Sequence, residues 1–284
     1  MKDIIDKIVS EIVDELKLEI GDKLESIMLF GSYTQGKISL ERPNVNMLII
    51  TKENVSGDEY LKIGRIFYKV AENYKNYFSI KIDSLPFRFG FSENSNKTEL
   101  VLSPNISSIT EKNQIPAFGI PHNVLDGIKK SRKVAFGSDS LSEIDTKYTK
   151  EQLIQWALFD VGLLFRNQLI RAPLSYDIDK NLNQFVNESL QIGKMALFWG
   201  AEIFIDEAGF KSGKYMELIN NKEKMIEFYQ NIDRGLVDAA KIILEARQHF
   251  QEYKTNREKA FELYNAAYVA VTKVFLKILS EMKK

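Results

Sequence analysis

Two asparagines and one aspartate stand at the ends of short apolar runs. Asn44 and Asn46 open a run that continues as Met-Leu-Ile-Ile, and Asp83 closes the sequence Ile-Lys-Ile-Asp. Side chains two residues apart on a β-strand project from the same face, so the two asparagines face one side together. Carboxylate and amide oxygens are ligands for hard divalent cations such as Mg²⁺. We therefore expect these three side chains to converge on one polar pocket beside Ser32.

The residues before this strand supply a glycine-rich turn. The segment Leu29-Phe-Gly-Ser-Tyr-Thr-Gln-Gly contains two glycines, and Pro43 follows directly before the asparagines. Gly31-Ser32, a second glycine, a proline turn and a polar-x-polar start to an apolar strand together resemble the signature of the nucleotidyltransferase superfamily, which includes polymerase-β-like, minimal and antibiotic-modifying enzymes. In that family the strand begins Asp-x-Asp. Here Asn44 and Asn46 occupy the two aspartate positions, so the motif is degenerate.

The resemblance implies a nucleotide pocket with altered metal chemistry. In the family, Gly-Ser admits phosphate close to its donors, a role that carries over to Gly31 and Ser32, and three carboxylates hold Mg²⁺ with the nucleotide. By this resemblance Asp83 is the remnant of the third, catalytic carboxylate, and the metal site Asn44, Asn46 and Asp83 is degenerate. We expect an inactive or weakly active member that retains nucleotide or partner binding. Its neutral site would accept a nucleotide triphosphate arriving with Mg²⁺, or an anion without metal.

Two other interpretations stay open at this level. The first is an active Mg²⁺-dependent nucleotidyltransferase that acts on a small molecule or a protein, with Asp83 and another carboxylate such as Glu41 as ligands. The second is a structural or dimerisation module, in which a homo-oligomer forms through the helical domain. Metal-dependent nucleotide binding separates the two nucleotide interpretations from the third.

The spacing of apolar residues predicts an α+β domain at residues 1–145. Helices are expected near 1–20, 60–74 and 124–130, and strands near 26–30, 45–51, 78–85, 99–102 and 133–136. Residues 87–97 are expected to form a polar hairpin tip or loop, and residues 104–121 to be irregular. Strand 78–85 alternates apolar and polar side chains, which predicts a half-exposed strand. With the resemblance, this order implies a nucleotidyltransferase-type mixed sheet flanked by helices.

Helical periodicity then predicts an all-α helical bundle domain at residues 146–284. The patterns cover about 149–171, 179–208, 222–252 and 254–283, and Thr149 with Gln152 forms a capping-box signature. Aromatic residues recur at helical spacing and are expected to pack in a core. Arg247 and His249 stand two residues apart and point to different faces, so a helical ribonuclease is not supported.

Composition narrows the function class further. The 284 residues include 39 basic and 39 acidic side chains, and this balance argues against bulk nucleic-acid binding. The local basic strip at residues 129–133 is interpreted as a solvated helix end. The chain contains no cysteine, which excludes disulfides, thiolate catalysis and Cys-based zinc sites. No run approaches about 18 uncharged apolar residues and the N-terminus does not resemble a signal peptide, so we expect no membrane partner and a cytoplasmic location.

Overall fold

The computed structural model describes residues 1–84, 87–90, 97–175 and 182–283. The chain divides into two compact units, Met1–Lys147 and Tyr148–Lys284. In the described residues, unit 1 contains a mixed sheet flanked by helices, whereas unit 2 is helical. The predicted α+β fold class with a following helical region is therefore confirmed. Of the polar hairpin tip or loop predicted at 87–97, residues 91–96 lie outside the described residues, and the prediction is wrong for residues 87–90, which form a strand.

Three α-helices and six strands make up the described part of unit 1. The helices are α1 (Lys2–Ile20), α2 (Gly57–Tyr74) and α3 (His122–Ser131), and the strands are β1 (Leu24–Phe30), β2 (Asn44–Thr51), β3 (Ser79–Ser84), β4 (Phe87–Gly90), β5 (Glu99–Ser108) and β6 (Lys133–Gly137). Short 3₁₀ turns lie at Gly21–Lys23, Ile109–Glu111 and Ala117–Gly119. The strand order is β4-β3-β5-β2-β1-β6; β5 runs parallel to β2 and β3, and the other pairs are antiparallel.

Apolar helix faces bury both sides of the sheet centre. On one side, α1 and α2 pack through residues at helical spacing against Val45, Met47 and Ile49 of β2. On the other side, Leu125 and Ile128 of α3 belong to the same core as residues of β1 and β2. Helix α2 begins at a capping box in which Ser56 and Glu59 satisfy each other's backbone N–H groups. The alternating faces of β2 therefore enter two different cores.

Strand β5 is longer than its apolar run predicts. The expectation of irregular structure from Pro104 is wrong for residues 104–108, which continue β5 beside β2 as far as Ser108. Within the described residues, pairing with β3 ends at Leu102. Pro104 thus lies where one side of β5 is an edge, and there a missing N–H is tolerated.

Strand β3 is not half-exposed as its alternation predicts. On its polar face, Lys81 and Asp83 are each 8% exposed. Lys81 Nζ lies 2.8 Å from Glu99 Oε2 on β5, and Glu99 is itself 1% exposed. A buried charge is tolerated when an opposite charge offsets it. Alternation alone does not distinguish a polar face in water from a polar face whose charges are paired.

Nine α-helices and one π-helical segment form the described part of unit 2. They are α4 (Lys150–Ala157), the π-helical segment (Leu158–Phe165), α5 (Arg166–Ser175), α6 (Leu182–Phe204), α7 (Glu207–Ser212), α8 (Tyr215–Asn220), α9 (Lys222–Gln230), α10 (Arg234–Gln248), α11 (Phe250–Thr255) and α12 (Arg257–Glu281). Aromatic side chains such as Trp199 and Tyr229 lie in one core. Among the described helices, none has the length and apolar character needed to cross a membrane.

Two of the long predicted helices are interrupted. The helix predicted at 222–252 is divided into α9, α10 and α11, and the one predicted at 179–208 ends at Phe204. Apart from α11, which begins without a side-chain cap, a side-chain oxygen at these starts accepts from the backbone N–H three residues on. The capping residues are Asp206, Asn221, Asp233 and Asn256. Such side chains compete with helix continuation and favour a new N-terminus. The predicted capping box of Thr149 and Gln152 is confirmed.

Candidate functional site

The turn after β1 brings Gly31 against the side chain of Asn46. Gly31 has a φ of +83°, in the left-handed region that favours glycine. Phe30 stands opposite Asn46 in the β1–β2 ladder. A Cβ atom at Gly31 would lie 2.8 Å from Asn46 Nδ2. Glycine is therefore required here both by the backbone conformation and by the approach of the Asn46 side chain.

The C-terminal end of α3 holds this turn. Gly31 N donates to Ser131 Oγ at 3.1 Å, and Ser131 Oγ donates to Gly127 O at 2.9 Å. Thr34 Oγ1 lies 2.8 Å from Gly31 O and 2.6 Å from Ser131 O. Ser32 is half-buried in the same turn. Sequence reasoning missed Ser131, because no local spacing links residues 100 positions apart.

Asn44 and Asn46 form a hydrogen-bonded chain with Ser103 of β5. Ser103 Oγ donates to Asn44 Oδ1 at 3.1 Å, and Asn44 Nδ2 donates to Asn46 Oδ1 at 3.4 Å. Both amide oxygens thus accept hydrogen bonds inside the site. Ser103 faces Asn46 in the β2–β5 ladder. Ser103 lies one residue beyond the predicted end of the strand at residue 102, so the sequence pattern did not include it in the site.

Asp83 lies on the same sheet face as the two asparagines, but β5 separates its strand from theirs. The order places β5 between β2 and β3, and the β3–β5 and β5–β2 registers put Asp83 on the face that carries Asn44, Asn46 and Ser103. Since adjacent strands are about 4.8 Å apart, the backbones of Asp83 and Asn46 are separated by roughly 10 Å. Convergence of the three predicted ligands on one pocket stays a prediction.

A buried ion-paired cluster lies beside the asparagine chain. Glu99 accepts from Lys81 Nζ at 2.8 Å and from Arg42 Nε at 3.3 Å. The side chains of Arg42, Lys81 and Glu99 are 12%, 10% and 1% exposed. Together with Asp83, these described residues carry two positive and two negative charges. Their formal charges sum to zero.

The oxygen atoms present at this site are unsuitable ligands for a divalent metal ion. Protein Mg²⁺ sites use carboxylates together with substrate phosphates, and the ion dehydrates reluctantly. Here the amide oxygens of Asn44 and Asn46 accept hydrogen bonds, and Glu99 is offset by two cations. Among the described residues, no group of three or more Asp, Glu or His side chains could hold a metal. The residues present therefore form a poor site for free Mg²⁺.

The basic strip at residues 129–133 is engaged locally. Lys129 Nζ donates to Ile144 O at 2.8 Å, and Lys130 pairs with Asp126 at 2.6 Å. Arg132 forms an ion pair with Asp139, and this pair raises the pKa of the guanidinium and lowers that of the carboxyl. These contacts support a structural role for the strip at the end of α3.

Unit 2 contains a carboxyl group in an apolar setting. Asp160 lies in the π-helical segment, and its Oδ2 accepts from Trp199 Nε1 at 3.2 Å. Burial raises the pKa of Asp160 to about 6, although the Trp199 hydrogen bond acts in the opposite direction. One turn beyond Trp199, the buried Glu202 accepts from Tyr148 Oη at 2.7 Å. Asp160 therefore titrates close to neutral pH.

The sheet order, the Gly31 turn and the following helical unit define a nucleotidyltransferase-type fold. The structure is similar to that of the spectinomycin adenyltransferase AAD(9) from Enterococcus faecialis, crystallised with ATP and spectinomycin. The TM-score is 0.53 at 12% sequence identity, and the match covers 93% of this chain and 98% of that chain. At this identity the likeness establishes the fold, which does not by itself define a function. No protein-family model and no curated protein matches the sequence.

Proposed function

We propose that this protein binds a nucleoside triphosphate at the Gly31 turn and has lost most or all of its nucleotidyl transfer activity. The close approach of Asn46 to Gly31 carries the proposal, because it sets a polar strand start against a turn that only glycine can form. The fold likeness to a protein crystallised with ATP makes ATP the first nucleotide to test. Loss of transfer follows from the neutral amides, since two of the three charges that would offset Mg²⁺ are missing.

Calorimetric titration tests the binding. ATP, GTP, CTP and UTP are each titrated with and without Mg²⁺, and pyrophosphate release is followed in parallel. We expect saturable ATP binding and pyrophosphate release at the background rate. No binding of any nucleotide in either condition would refute the proposal. Release that exceeds background and is lost in Asp83→Ala would instead support the active transferase.

Two glycines provide a matched test of where the nucleotide binds. Gly31 and Gly36 have φ values of +83° and +69°, so alanine is strained at both positions. A Cβ at Gly31 would meet Asn46 Nδ2 at 2.8 Å, whereas a Cβ at Gly36 would have nothing within 4 Å. We expect Gly31→Ala to weaken ATP binding by about tenfold or more, a change of about 1.4 kcal/mol, and Gly36→Ala to bind nearly as the unmodified protein does. Equal affinities for the two variants would place the nucleotide elsewhere.

A further inference from the structure

We infer that the site at the Gly31 turn holds the triphosphate of its nucleotide without a divalent metal, as a hydrogen-bond donor site for phosphate oxygens. The inference rests on the proposed nucleotide binding and adds the ionic form of the ligand. The degenerate motif is then more than a damaged metal site, because its replacement residues present a different chemistry to the ligand.

The direction of the asparagine chain is the first argument. A metal site presents oxygen lone pairs to the ion, but here the Oδ1 atoms of Asn44 and Asn46 accept from Ser103 Oγ and Asn44 Nδ2. The terminal group of the chain is Asn46 Nδ2, which carries two N–H donors. This group lies beside the Gly31 turn, 2.8 Å from the position that a Cβ would occupy. The group of this hydrogen-bonded series that faces the turn is therefore a donor, Asn46 Nδ2, which suits a phosphate oxygen and disfavours a cation.

The turn itself is arranged to leave this donor accessible. The Gly31 N–H is already bonded to Ser131 Oγ, so it holds the turn in place. Asn46 Nδ2 takes the room that a side chain at Gly31 would need, and Asn46 is only half-buried. The half-buried Ser32 adds a hydroxyl that can donate. A phosphate at the turn would thus meet side-chain donors from β2 and from the turn.

The charges around the site are the second, independent argument. Three carboxylates would repel a metal-free triphosphate, and bound Mg²⁺ normally offsets that repulsion. Here Arg42 and Lys81 balance Glu99 and Asp83, so the described charges sum to zero. Two of the three expected carboxylates are replaced by neutral amides, and the described cations offset the carboxylates that remain. The repulsion is therefore reduced, and a divalent cation is no longer needed to bring the anion to this face.

Titration with and without metal tests the inference directly. ATP is titrated in EDTA and in excess Mg²⁺, and inorganic tripolyphosphate is used as a competitor in EDTA. We expect ATP to bind in EDTA at least as tightly as in Mg²⁺, and tripolyphosphate to displace it. Binding that requires Mg²⁺ would overturn this inference and leave the proposed function standing. Binding in neither condition would overturn both.

A matched pair of variants locates the effect at Asn46. Asn46→Asp replaces the donor by a charge of nearly the same shape, and Asn76→Asp makes the same charge change at an exposed turn after α2. We expect Asn46→Asp to weaken ATP binding in EDTA by about tenfold or more, because a hydrogen bond to a charged group is lost and a new repulsion is added. The ATP affinity of this variant should recover in Mg²⁺. Asn76→Asp should bind as the unmodified protein does.

A similar loss in both variants would reveal a general charge effect and would contradict the assignment. If Asn46→Asp does not fold, the neutral Asn46→Ser provides the test. It should weaken ATP binding in EDTA without acquiring a requirement for Mg²⁺. Unchanged binding in Asn46→Ser would overturn the donor role of Asn46.

Discussion

At the residue scale, the two asparagines set the charge of the site, and restoring aspartate should reverse its metal preference. We expect the double variant Asn44→Asp, Asn46→Asp to bind Mg²⁺-ATP more tightly, because two added charges act where water is partly excluded. The gain should be several times the ~1 kcal/mol of a charge pair in bulk water. Calorimetry in Mg²⁺ is the measurement. Transfer activity need not return, since a misplacement of about 1 Å can cost two orders of magnitude in rate.

The same variant should bind ATP more weakly in EDTA, because its carboxylates would then be unscreened. A folded double variant with unchanged Mg²⁺-ATP affinity would contradict the descent of β2 from a metal-binding strand. Parent and variant unfolding temperatures, measured in the absence of nucleotide, are the control for structural damage.

Asp160 of unit 2 should make stability depend on pH. Burial raises its pKa from 3.8 to about 6, so between these values the folded chain holds a proton that the unfolded chain has released. This proton stabilises the fold at low pH, and the contribution is lost as the pH rises through about 6. Asp160→Asn removes the titration, so its unfolding free energy relative to the parent should rise by about 2 kcal/mol between pH 4 and 7. Urea unfolding followed by tryptophan fluorescence measures this difference. If the unfolding free energies of the parent and the variant change with pH in the same way, the prediction is contradicted.

At the element scale, α3 is the helix that holds the candidate site in shape. Ser131 at its C-terminal end accepts the Gly31 N–H, so Ser131→Ala should loosen the turn. We expect a loss of about 1 kcal/mol in unfolding free energy and a measurable loss of ATP affinity. Ser142→Ala is the control, since Ser142 Oγ donates to Asp139 O at 2.8 Å in an exposed turn. Equal ATP affinities in the two variants would show that α3 does not position the site.

At the scale of the whole molecule, the two units have separate cores, and we propose that they unfold separately. Alanine at Gly137 would collide with the backbone carbonyl of Glu25, and alanine at Gly200 would meet Tyr229 Oη at 2.6 Å. Each substitution should destabilise its own unit by roughly 1–3 kcal/mol through overpacking. Differential scanning calorimetry should show Gly137→Ala and Gly200→Ala lowering different transitions. If both lower one common transition, the units unfold as a single cooperative body.

The sequence by itself determined the features that depend on neighbouring residues. Apolar periodicity predicted the three helices and five of the six described strands of unit 1, and the capping-box pattern predicted the start of α4 at Thr149. The glycine-rich turn and the polar start of β2 located the candidate site at Gly31, Asn44 and Asn46. The predictions of elements and of the helix start succeed because capping and side-chain alternation are properties of a few consecutive residues. The role of Gly31, Asn44 and Asn46 as a binding site stays a prediction.

Only the tertiary structure decided which distant residues complete the site. Ser103 reaches Asn44 and Ser131 reaches Gly31 from elements far along the chain. Glu99 joins Arg42 and Lys81, which buries a strand face that alternation predicts to be in water. Strand order also sets β5 between Asp83 and the asparagines. Local patterns say which face of an element is polar, but only the packing of the sheet decides what that face meets, and so whether its charges are paired or free to hold a metal.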